Sequence, residues 1–218
     1  MELERLSKGS KELRHNGEQL FSHLLDTRQA STAGLVLILA NVCKSSNSAR
    51  EWLNRAHDAG LPMDAVPFNR LLCELRLEGR DDELEGVLSE MDARGIVRDV
   101  KTEKYLSLPA EELSRMRRAR LQELAEDGDF ARMKELFESL LARRQADWIH
   151  LNVAMLHLCK DYASRRELLR HAETAGVSPS TSTYNLLLST LQMEGRKDEL
   201  EGVLSEMDAR GIVRDVKT

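Results

Sequence analysis

The feature of this sequence that most constrains its fold is a tract of 25 residues that occurs twice. The tract EGRDDELEGVLSEMDARGIVRDVKT occupies Glu78–Thr102, and it returns at Glu194–Thr218 with one change, from Asp81 to Lys197. Weaker matches extend over the rest of the chain at the same offset of 116 residues. The chain is therefore a tandem duplication, and its fold has to be built from repeated units.

Each half also contains a shorter period of 35 residues, which the window Thr181–Asp215 shows most clearly. Three leucines between positions 187 and 191 give the first part of the window an apolar stripe at helical spacing. Gly195 then supplies a left-handed stop, and Asp198 is expected to open a second helix, Asp198–Arg210, through a capping box. The window predicts a helical hairpin, which is two antiparallel helices joined by a short turn.

A single hairpin of this kind cannot bury its apolar stripe, so successive hairpins have to stack on one another. The predicted fold is all-α, with one α-solenoid domain, 1–218, of about six helix-turn-helix hairpins. The period slips between Lys101 and Ser114, where Pro109 is expected to start a long first helix. The predicted hairpins cover 1–29, 30–64, 65–99, 103–145, 146–180 and 181–215.

The sequence contains no recognisable catalytic or metal-binding pattern. Cys43, Cys73 and Cys159 form no C-x-x-C pair, so we expect reduced, buried thiols rather than a zinc site or a disulfide framework. The six histidines are scattered, and none lies at ligand or triad spacing from carboxylates. We therefore expect a protein that is not an enzyme and that uses no cofactor, no metal and no small-molecule substrate.

Charge and hydropathy narrow the possible partners. The net charge is −5, which argues against a general basic coat for nucleic acid and leaves room for a local basic face. The longest apolar run, Leu35–Ala40, is far too short to cross a bilayer, so no membrane partner is expected. The first residues, Met1–Arg5, include two acids, so no targeting presequence is visible in this chain.

The window TSTYNLLLSTLQMEGRKDELEGVLSEMDARGIVRD resembles the pentatricopeptide repeat, whose pattern runs V-T-Y-N, G, D-E-A, F, M, G and P-D. The tetratricopeptide repeat fits less well, because its period is 34 residues and it carries a Trp/Gly/Tyr signature. Residues on the pattern in this window are Thr183, Tyr184, Asn185, Gly195, Asp198, Glu199, Met207, Gly211 and Asp215. Residues on the pattern in the first half are Phe68, Asn69, Gly79, Asp82, Glu83, Met91, Gly95 and Asp99.

The resemblance implies a protein that binds single-stranded RNA in mitochondria or plastids, with one repeat reading one base. In this family the base is read by a residue early in the first helix together with the last residue of the repeat. The matching pairs are Asn69 with Asp99 and Asn185 with Asp215, and the family associates Asn with Asp with a uracil preference. The resemblance also implies that Val66 and Ser182 flank the base.

Other repeats depart from this pattern. The corresponding pairs are Gly34 with Asp64 and His150 with Ser180, which are unusual combinations for the family. The irregular fourth hairpin places Arg118 at the comparable helix position. The sequence therefore predicts two readable repeats separated by two that are not.

Arginines and tryptophans are the other candidate RNA contacts. The densest basic cluster, RMRRAR, contains Arg115 and Arg118, which are candidates for phosphate contact or for an ordinary solvated face. Trp52 and Trp148 are expected to pack between repeats rather than to stack on bases.

Two functions remain open from the sequence. The first is a non-enzymatic pentatricopeptide-repeat-like protein that binds single-stranded RNA in organelle RNA metabolism. The second is a protein-binding helical-repeat scaffold, or a subunit of a mitochondrial ribosome or another large ribonucleoprotein assembly. The Asn/Asp pairs favour RNA, whereas the acidic balance and the interrupted series of readable repeats favour a protein partner.

Overall fold

The computed structural model describes residues 11–213, with side chains from residue 15 onward. In this part of the chain it contains twelve α-helices, a 3₁₀ turn at Asp81–Glu83 and no β-strand, which confirms the all-α prediction. No helix of the described part is long and apolar enough to cross a membrane. The helices are α1 Lys11–Asp26, α2 Thr32–Asn41, α3 Ser46–Asp58, α4 Ala65–Glu78, α5 Leu84–Ala93, α6 Val100–Leu106, α7 Ala110–Glu126, α8 Phe130–Ala142, α9 Trp148–Leu158, α10 Tyr162–Thr174, α11 Thr181–Met193 and α12 Lys197–Ala209.

The helices divide into two compact units, unit 1 (Met1–Leu113) and unit 2 (Ser114–Thr218). Within each unit a helix packs against the next helix in the chain and against the one after it: α2 contacts α3 and α4, and α9 contacts α10 and α11. This sequential packing is that of a helical-repeat solenoid, as the sequence predicts. We call the first helix of each hairpin the A helix (α2, α4, α7, α9, α11) and the second the B helix (α3, α5, α8, α10, α12).

Each unit has its own apolar core between A and B helices. In unit 1 the rings of Phe21 and Trp52 lie 5.6 Å apart between centroids, and Trp52 is 6% exposed. Trp52 therefore packs in the core, as expected. In unit 2 the core contains the fully buried side chains of Phe137, Tyr184 and Leu187.

Capping residues set where the A helices begin. α4 and α11 begin at Ala65 and Thr181, which are the first residues of their predicted windows. α2 and α9 begin at Thr32 and Trp148, two residues later than the windows that start at 30 and 146. The cause in α9 is Asp147, whose side chain accepts the backbone N–H groups that open this helix.

The predicted capping box at Asp198 is wrong. α12 begins one residue earlier than predicted, and its N-cap residue, Arg196, makes no hydrogen bond from its side chain to the helix end. Arg196 instead forms ion pairs with Glu194 at 3.0 Å and with Glu199 at 2.6 Å. At this helix start the backbone oxygen of Arg196, rather than a side chain, accepts the N–H of Glu199 at 3.3 Å.

The region predicted to be irregular contains an additional short helix. α6 is capped by Asp99, whose carboxylate accepts the backbone N–H of Thr102 at 2.8 Å. α6 packs against α4, as α4 packs against α2 and α11 against α9, so it takes the place of a following A helix. The next helix, α7, begins one residue after Pro109, as the sequence predicts.

Many of the helices are followed by a residue whose backbone has the left-handed conformation. Gly195 and Gly211 have φ values of +71° and +67° at the ends of α11 and α12, as predicted. Arg28 and Arg144 hold the same backbone conformation without being glycine, with φ values of 56° and 54°. These two arginines occupy equivalent positions in the duplicated halves.

Candidate nucleic-acid interface at the helix joints

Polar residues on the repeat pattern meet where one A helix contacts the start of the helix that packs on it next in the stack. Asn69 is the fifth residue of α4, Asp99 is the N-cap of α6, and Thr102 is the third residue of α6. The Asn69 amide nitrogen donates to Asp99 Oδ1 at 2.9 Å, and the Thr102 hydroxyl donates to Asn69 Oδ1 at 2.7 Å. We call this arrangement an interhelix joint, in which the fifth residue of an A helix contacts the N-cap or the third residue of the helix that packs on it next in the stack.

The interhelix joint at Asn69 is almost closed to solvent. Asn69 is 3% exposed and Thr102 is fully buried. A backbone hydrogen bond from Thr102, together with the side-chain bond from Asn69, holds the pKa of the Asp99 carboxyl below its usual value, against an opposing effect of burial. The charged carboxylate therefore fixes the orientation of the Asn69 amide.

A second interhelix joint connects α7 to α9 in unit 2. Ser114, the fifth residue of α7, donates from its hydroxyl to Asp147 Oδ2 at 2.6 Å. His150, the third residue of α9, is fully buried, and its Nε2 lies 3.1 Å from the backbone oxygen of Ser114. His150 Nδ1 accepts the backbone N–H of Asp147 at 3.1 Å, so His150 takes the place that Thr102 has in unit 1.

The Asp147 carboxylate is held in its charged form by these contacts. Burial raises the pKa of the Asp147 carboxyl, but hydrogen bonds from His150 and Ser114 outweigh this effect and hold the pKa well below its usual value. The carboxylate therefore anchors both the start of α9 and the hydroxyl of Ser114 at neutral pH.

A third interhelix joint connects α9 to α11. Asn152 is the fifth residue of α9, and the hydroxyl of Thr183, the third residue of α11, donates to Asn152 Oδ1 at 2.8 Å. Ser180 is the N-cap, and its backbone N–H donates to Thr183 Oγ1 at 3.1 Å. Asn152 is partly buried, so more of its amide reaches solvent than in the joint at Asn69.

Asn185 is the fifth residue of α11 and is partly buried. Its predicted partner, Asp215, lies outside the described residues, so this pairing stays a prediction. The tract that closes the joint at Asn69 is repeated here, with Asp215 and Thr218 in the places of Asp99 and Thr102. The sequence therefore contains the residues needed for a fourth joint of the same kind.

Two residues do not occupy the register position that the sequence windows gave them. Counting in steps of 35 puts Gly34 and His150 at the base-reading position, but the observed helix starts put Val36 and Asn152 there. Asn152 was therefore missed by the sequence prediction. A sequence signal for the shifted helix start was available. It is a residue that can cap a helix, followed three positions later by a residue whose side chain can complete a capping box.

The fourth hairpin needs the same correction. The residue of α7 that corresponds to Asn69 is Ser114, the fifth residue, whereas Arg118 is the ninth. The observed fifth residue does have a partner at the next A helix, since Ser114 contacts Asp147. The cause is again the helix start: α7 begins at Ala110, so its fifth residue is Ser114, whereas the comparable position was assigned along the irregular segment.

The second residue of an A helix is the position predicted to flank a base. Val66 in α4 is 37% exposed and Ser182 in α11 is exposed, so both reach solvent. The corrected register of α9 places Ile149 at the same position, where it is partly buried. An apolar or small side chain therefore lies three residues before Asn69, Asn152 or Asn185 in each case.

The basic cluster of α7 divides between solvent and the interior. Arg115 is exposed and Arg118 is partly buried, and neither pairs with an acid in the described part of the chain. Arg117 and Arg120 are 5% and 7% exposed, and Arg120 forms an ion pair with Glu123 at 3.5 Å. Arg115 and Arg118 are therefore the members of the cluster whose side chains reach solvent.

The remaining candidates take structural positions. Trp148 is 42% exposed at the start of α9, so packing covers only part of its ring. Cys43, Cys73 and Cys159 are buried and form no disulfide with one another, and burial raises the pKa of Cys43 to about 12. Among the described residues no group of three or more His, Cys, Asp or Glu side chains could hold a metal ion.

Comparisons with known proteins give a distant structural similarity. No protein-family model matches the chain, and no curated protein matches it. Among solved structures, the crystal structure of the pentatricopeptide repeat protein PPR10 from maize is similar, with a TM-score of 0.38 and 18% identity. The match covers 99% of this chain and 34% of that protein, so this chain spans about a third of its length. The function proposed for this chain therefore depends on its own residues.

Proposed function

We propose that this chain is a pentatricopeptide-repeat-like protein that binds single-stranded RNA through its interhelix joints, and that it is not an enzyme. The observation that carries the proposal is the recurrence of the joint at Asn69, Ser114 and Asn152. Each is the fifth residue of an A helix and contacts either the N-cap or the third residue of the helix that packs on it next in the stack. A polar side chain that returns at one register of successive repeats suits a protein that reads successive bases. Organelle RNA metabolism, in mitochondria or plastids, is the setting that the sequence resemblance suggests.

The asparagines have the hydrogen-bonding groups that base recognition needs. A side-chain amide offers two donor hydrogens and an oxygen acceptor, so it can both donate to and accept from a base edge. The contact from Thr183 uses part of the acceptor capacity of Asn152 and leaves its amide hydrogens for a ligand. The pairs Asn69 with Asp99 and Asn185 with Asp215 favour uracil by the sequence resemblance.

The joint asparagines differ in their exposure to solvent, which decides how readily an RNA base can reach each of them. Asn69 is 3% exposed, so a base can reach it only if the joint opens locally. Asn152 and Asn185 are partly buried and more accessible. We therefore assign the main base contacts to unit 2, with Ile149 and Ser182 flanking the bases.

Phosphate contacts complete the proposed site. Arg115 and Arg118 lie three residues apart on α7, so their side chains share a face of that helix. They occupy the same helix as Ser114, whose hydroxyl contacts the cap of α9. Two guanidinium groups beside a joint residue could hold the backbone of an RNA strand in register.

A second candidate function is a protein-binding scaffold, for example a subunit of a mitochondrial ribosome or another large assembly. The observation that favours it is the burial of Asn69, whose amide is engaged with Asp99 and Thr102 inside the chain. In that case the joints serve to hold neighbouring helices together, and the ligand is a protein surface.

The experiment that separates these functions is a binding assay with short U, A and C oligonucleotides. Fluorescence anisotropy at about 50 and 200 mM salt should show micromolar binding at the lower concentration and weaker binding at the higher one, because phosphate contacts release counterions. Uracil oligonucleotides should bind more tightly than adenine oligonucleotides. If no oligonucleotide binds at the lower salt concentration, the RNA proposal is wrong and the scaffold function takes its place.

A further inference from the structure

The first residue of α9 is a tryptophan whose ring reaches solvent. Trp148 is 42% exposed, whereas Trp52 in unit 1 is 6% exposed. Trp52 packs against Phe21, and the guanidinium of Arg55 lies 4.3 Å from the centre of its ring. Among the described residues no aromatic ring or guanidinium covers the ring of Trp148. The ring stays open although α9 contacts α8, α10 and α11 within unit 2.

Trp148 lies one helical turn before the joint residue Asn152. Residues four positions apart share a helical face, and these two are separated by about 6 Å along the axis of α9. Asn152 is partly buried, and its side-chain oxygen accepts from Thr183. An open aromatic ring and a side-chain amide are therefore neighbours on one face of α9.

The other A helices begin with a small residue, and two of these residues have a structural contact. The hydroxyl of Thr32 donates to the backbone oxygen of Pro62 at 2.7 Å, and that of Thr181 donates to the backbone oxygen of Val213 at 3.0 Å. A tryptophan has no hydroxyl and cannot make this contact. α9 thus has a large aromatic face where α2 and α11 have a contact that ties the helix start to a later segment. The first residues of the A helices are Thr32, Ala65, Ala110, Trp148 and Thr181.

A positive charge lies near the start of α9. Trp148 directly follows the cap residue Asp147, whose carboxylate accepts from the hydroxyl of Ser114 in α7. The next residue of α7, Arg115, is exposed. An exposed guanidinium is therefore one residue away from the joint that holds the start of α9, where it can meet the phosphate of a nucleotide whose base reaches Trp148.

We propose that Trp148 is a base-stacking platform, on which one base of a single-stranded RNA lies flat while the Asn152 amide meets the edge of that base. This role depends on the proposed RNA-binding function and adds to it a contact that the family resemblance does not assign. Every base has a π face, so stacking on an aromatic ring tolerates any base. Trp148 therefore contributes affinity for bases in general, and Asn152 contributes discrimination between them.

The first measurement uses the fluorescence of Trp148 itself. The chain contains two tryptophans, so Trp52→Phe leaves Trp148 as the only one and keeps an aromatic ring in the core of unit 1. This variant is titrated with a uracil oligonucleotide at about 50 mM salt, and binding is followed in parallel by anisotropy of the labelled oligonucleotide. Indole emission should fall as the base stacks, with the same midpoint as the change in anisotropy.

The second measurement compares two variants that each remove an exposed aromatic ring from the first residue of a helix. Trp148→Thr gives α9 the residue with which α2 and α11 begin, and it should weaken uracil and adenine oligonucleotides alike by about tenfold. Phe130→Thr is the control, because Phe130 is 48% exposed but begins the B helix α8. The control should bind both oligonucleotides as the natural chain does.

The outcomes separate the platform from the function on which it depends. Quenched Trp148 emission together with weaker binding of Trp148→Thr alone supports the platform. If anisotropy shows binding while the emission of Trp148 is unchanged, or if Trp148→Thr binds as tightly as the natural chain, the platform is overturned and the proposed function stands. If no oligonucleotide binds the natural chain, the proposed function fails and the platform fails with it.

Discussion

The hydroxyl of Thr183 donates to the side-chain oxygen of Asn152 at 2.8 Å, across 31 residues of chain. Thr102 makes the equivalent contact with Asn69 at 2.7 Å in unit 1. In each case one threonine completes the cap of its own helix and also satisfies an asparagine of the preceding A helix. The joint therefore links the start of one repeat to the asparagine of the repeat before it.

Thr102→Val tests the contribution of this contact to stability. The substitution keeps the shape of the side chain, removes the hydroxyl, and leaves the buried oxygen of Asn69 with one partner fewer. We expect a loss of about 1–3 kcal/mol in the free energy of unfolding measured in urea, while Thr102→Ser should cost less than about 1 kcal/mol. Equal stability of the valine and serine variants would show that the joint contributes nothing through its hydrogen bond.

Asp147 should make the stability of the protein sensitive to acid. Its native pKa lies below the value of about 3.9 expected in the unfolded chain, so its stabilising effect is fully present above about 3.9 and is lost progressively as the pH falls from there to the native pKa. We expect the stability difference between the natural chain and Asp147→Asn, measured in urea between pH 7 and pH 3, to shrink as the pH falls. If the stability difference stays constant over this pH range, Asp147 stabilises the protein through the shape of its side chain rather than through its charge.

The period of the sequence predicts the helices well where the caps agree with it. α4 and α11 begin where the 35-residue windows begin, because their N-caps, Asp64 and Ser180, are the last residues of the preceding windows. In α9 the cap is Asp147, one residue inside its window, so the register moves by two positions. Local cap chemistry decides where a helix starts, and counting along the chain cannot replace it.

The same reason explains which site residues the sequence could identify. Asn69 and Asn185 occupy the fifth position of their helices because their windows are in register, whereas shifted helix starts put Asn152 and Ser114 at that position instead of the residues that the windows indicate. The burial of Asn69 could not be predicted, because it depends on α6, which begins 35 residues after α4 but lies in the segment that was expected to be irregular. The sequence pattern therefore predicts the fold and the polar nature of the residues at the joints. Their exposure to solvent depends on how neighbouring helices pack, which the pattern does not show.

Arg144→Gly should stabilise the protein. Arg144 has a φ of 54°, a conformation that costs a residue with a side chain about 1 kcal/mol, whereas glycine adopts it freely. Glycine also makes the unfolded chain more flexible, so we expect a net gain of about 0.5 kcal/mol in chemical denaturation. The reverse change, Gly128→Ala at a φ of +70° and in open space, is the matched control and should destabilise. A loss of stability in Arg144→Gly would show that the side chain makes a contact worth more than the strain.

Leu88 and Leu204 occupy equivalent positions in the duplicated halves, so the same substitution at each compares how tightly the two halves are packed there. Leu88 in α5 is 6% exposed, and its duplicate Leu204 in α12 is only partly buried. Leu88→Ala should therefore cost about 2–4 kcal/mol of unfolding free energy, and Leu204→Ala about half as much. Equal losses at the two positions would contradict the difference in burial that follows from the place of each hairpin in its unit.

The central claim is that joint asparagines read RNA bases, and its most direct test is the affinity of a uracil oligonucleotide for the double variant Asn152→Ala/Asn185→Ala. The matched control is His157→Ala/Gln192→Ala, two exposed positions on the same two helices. Anisotropy at about 50 mM salt should show that the asparagine variant binds at least about tenfold more weakly than the natural chain, while the control binds as the natural chain does. Thermal unfolding of both variants checks that they remain folded. Equal affinities for the asparagine variant, the control and the natural chain would contradict the claim.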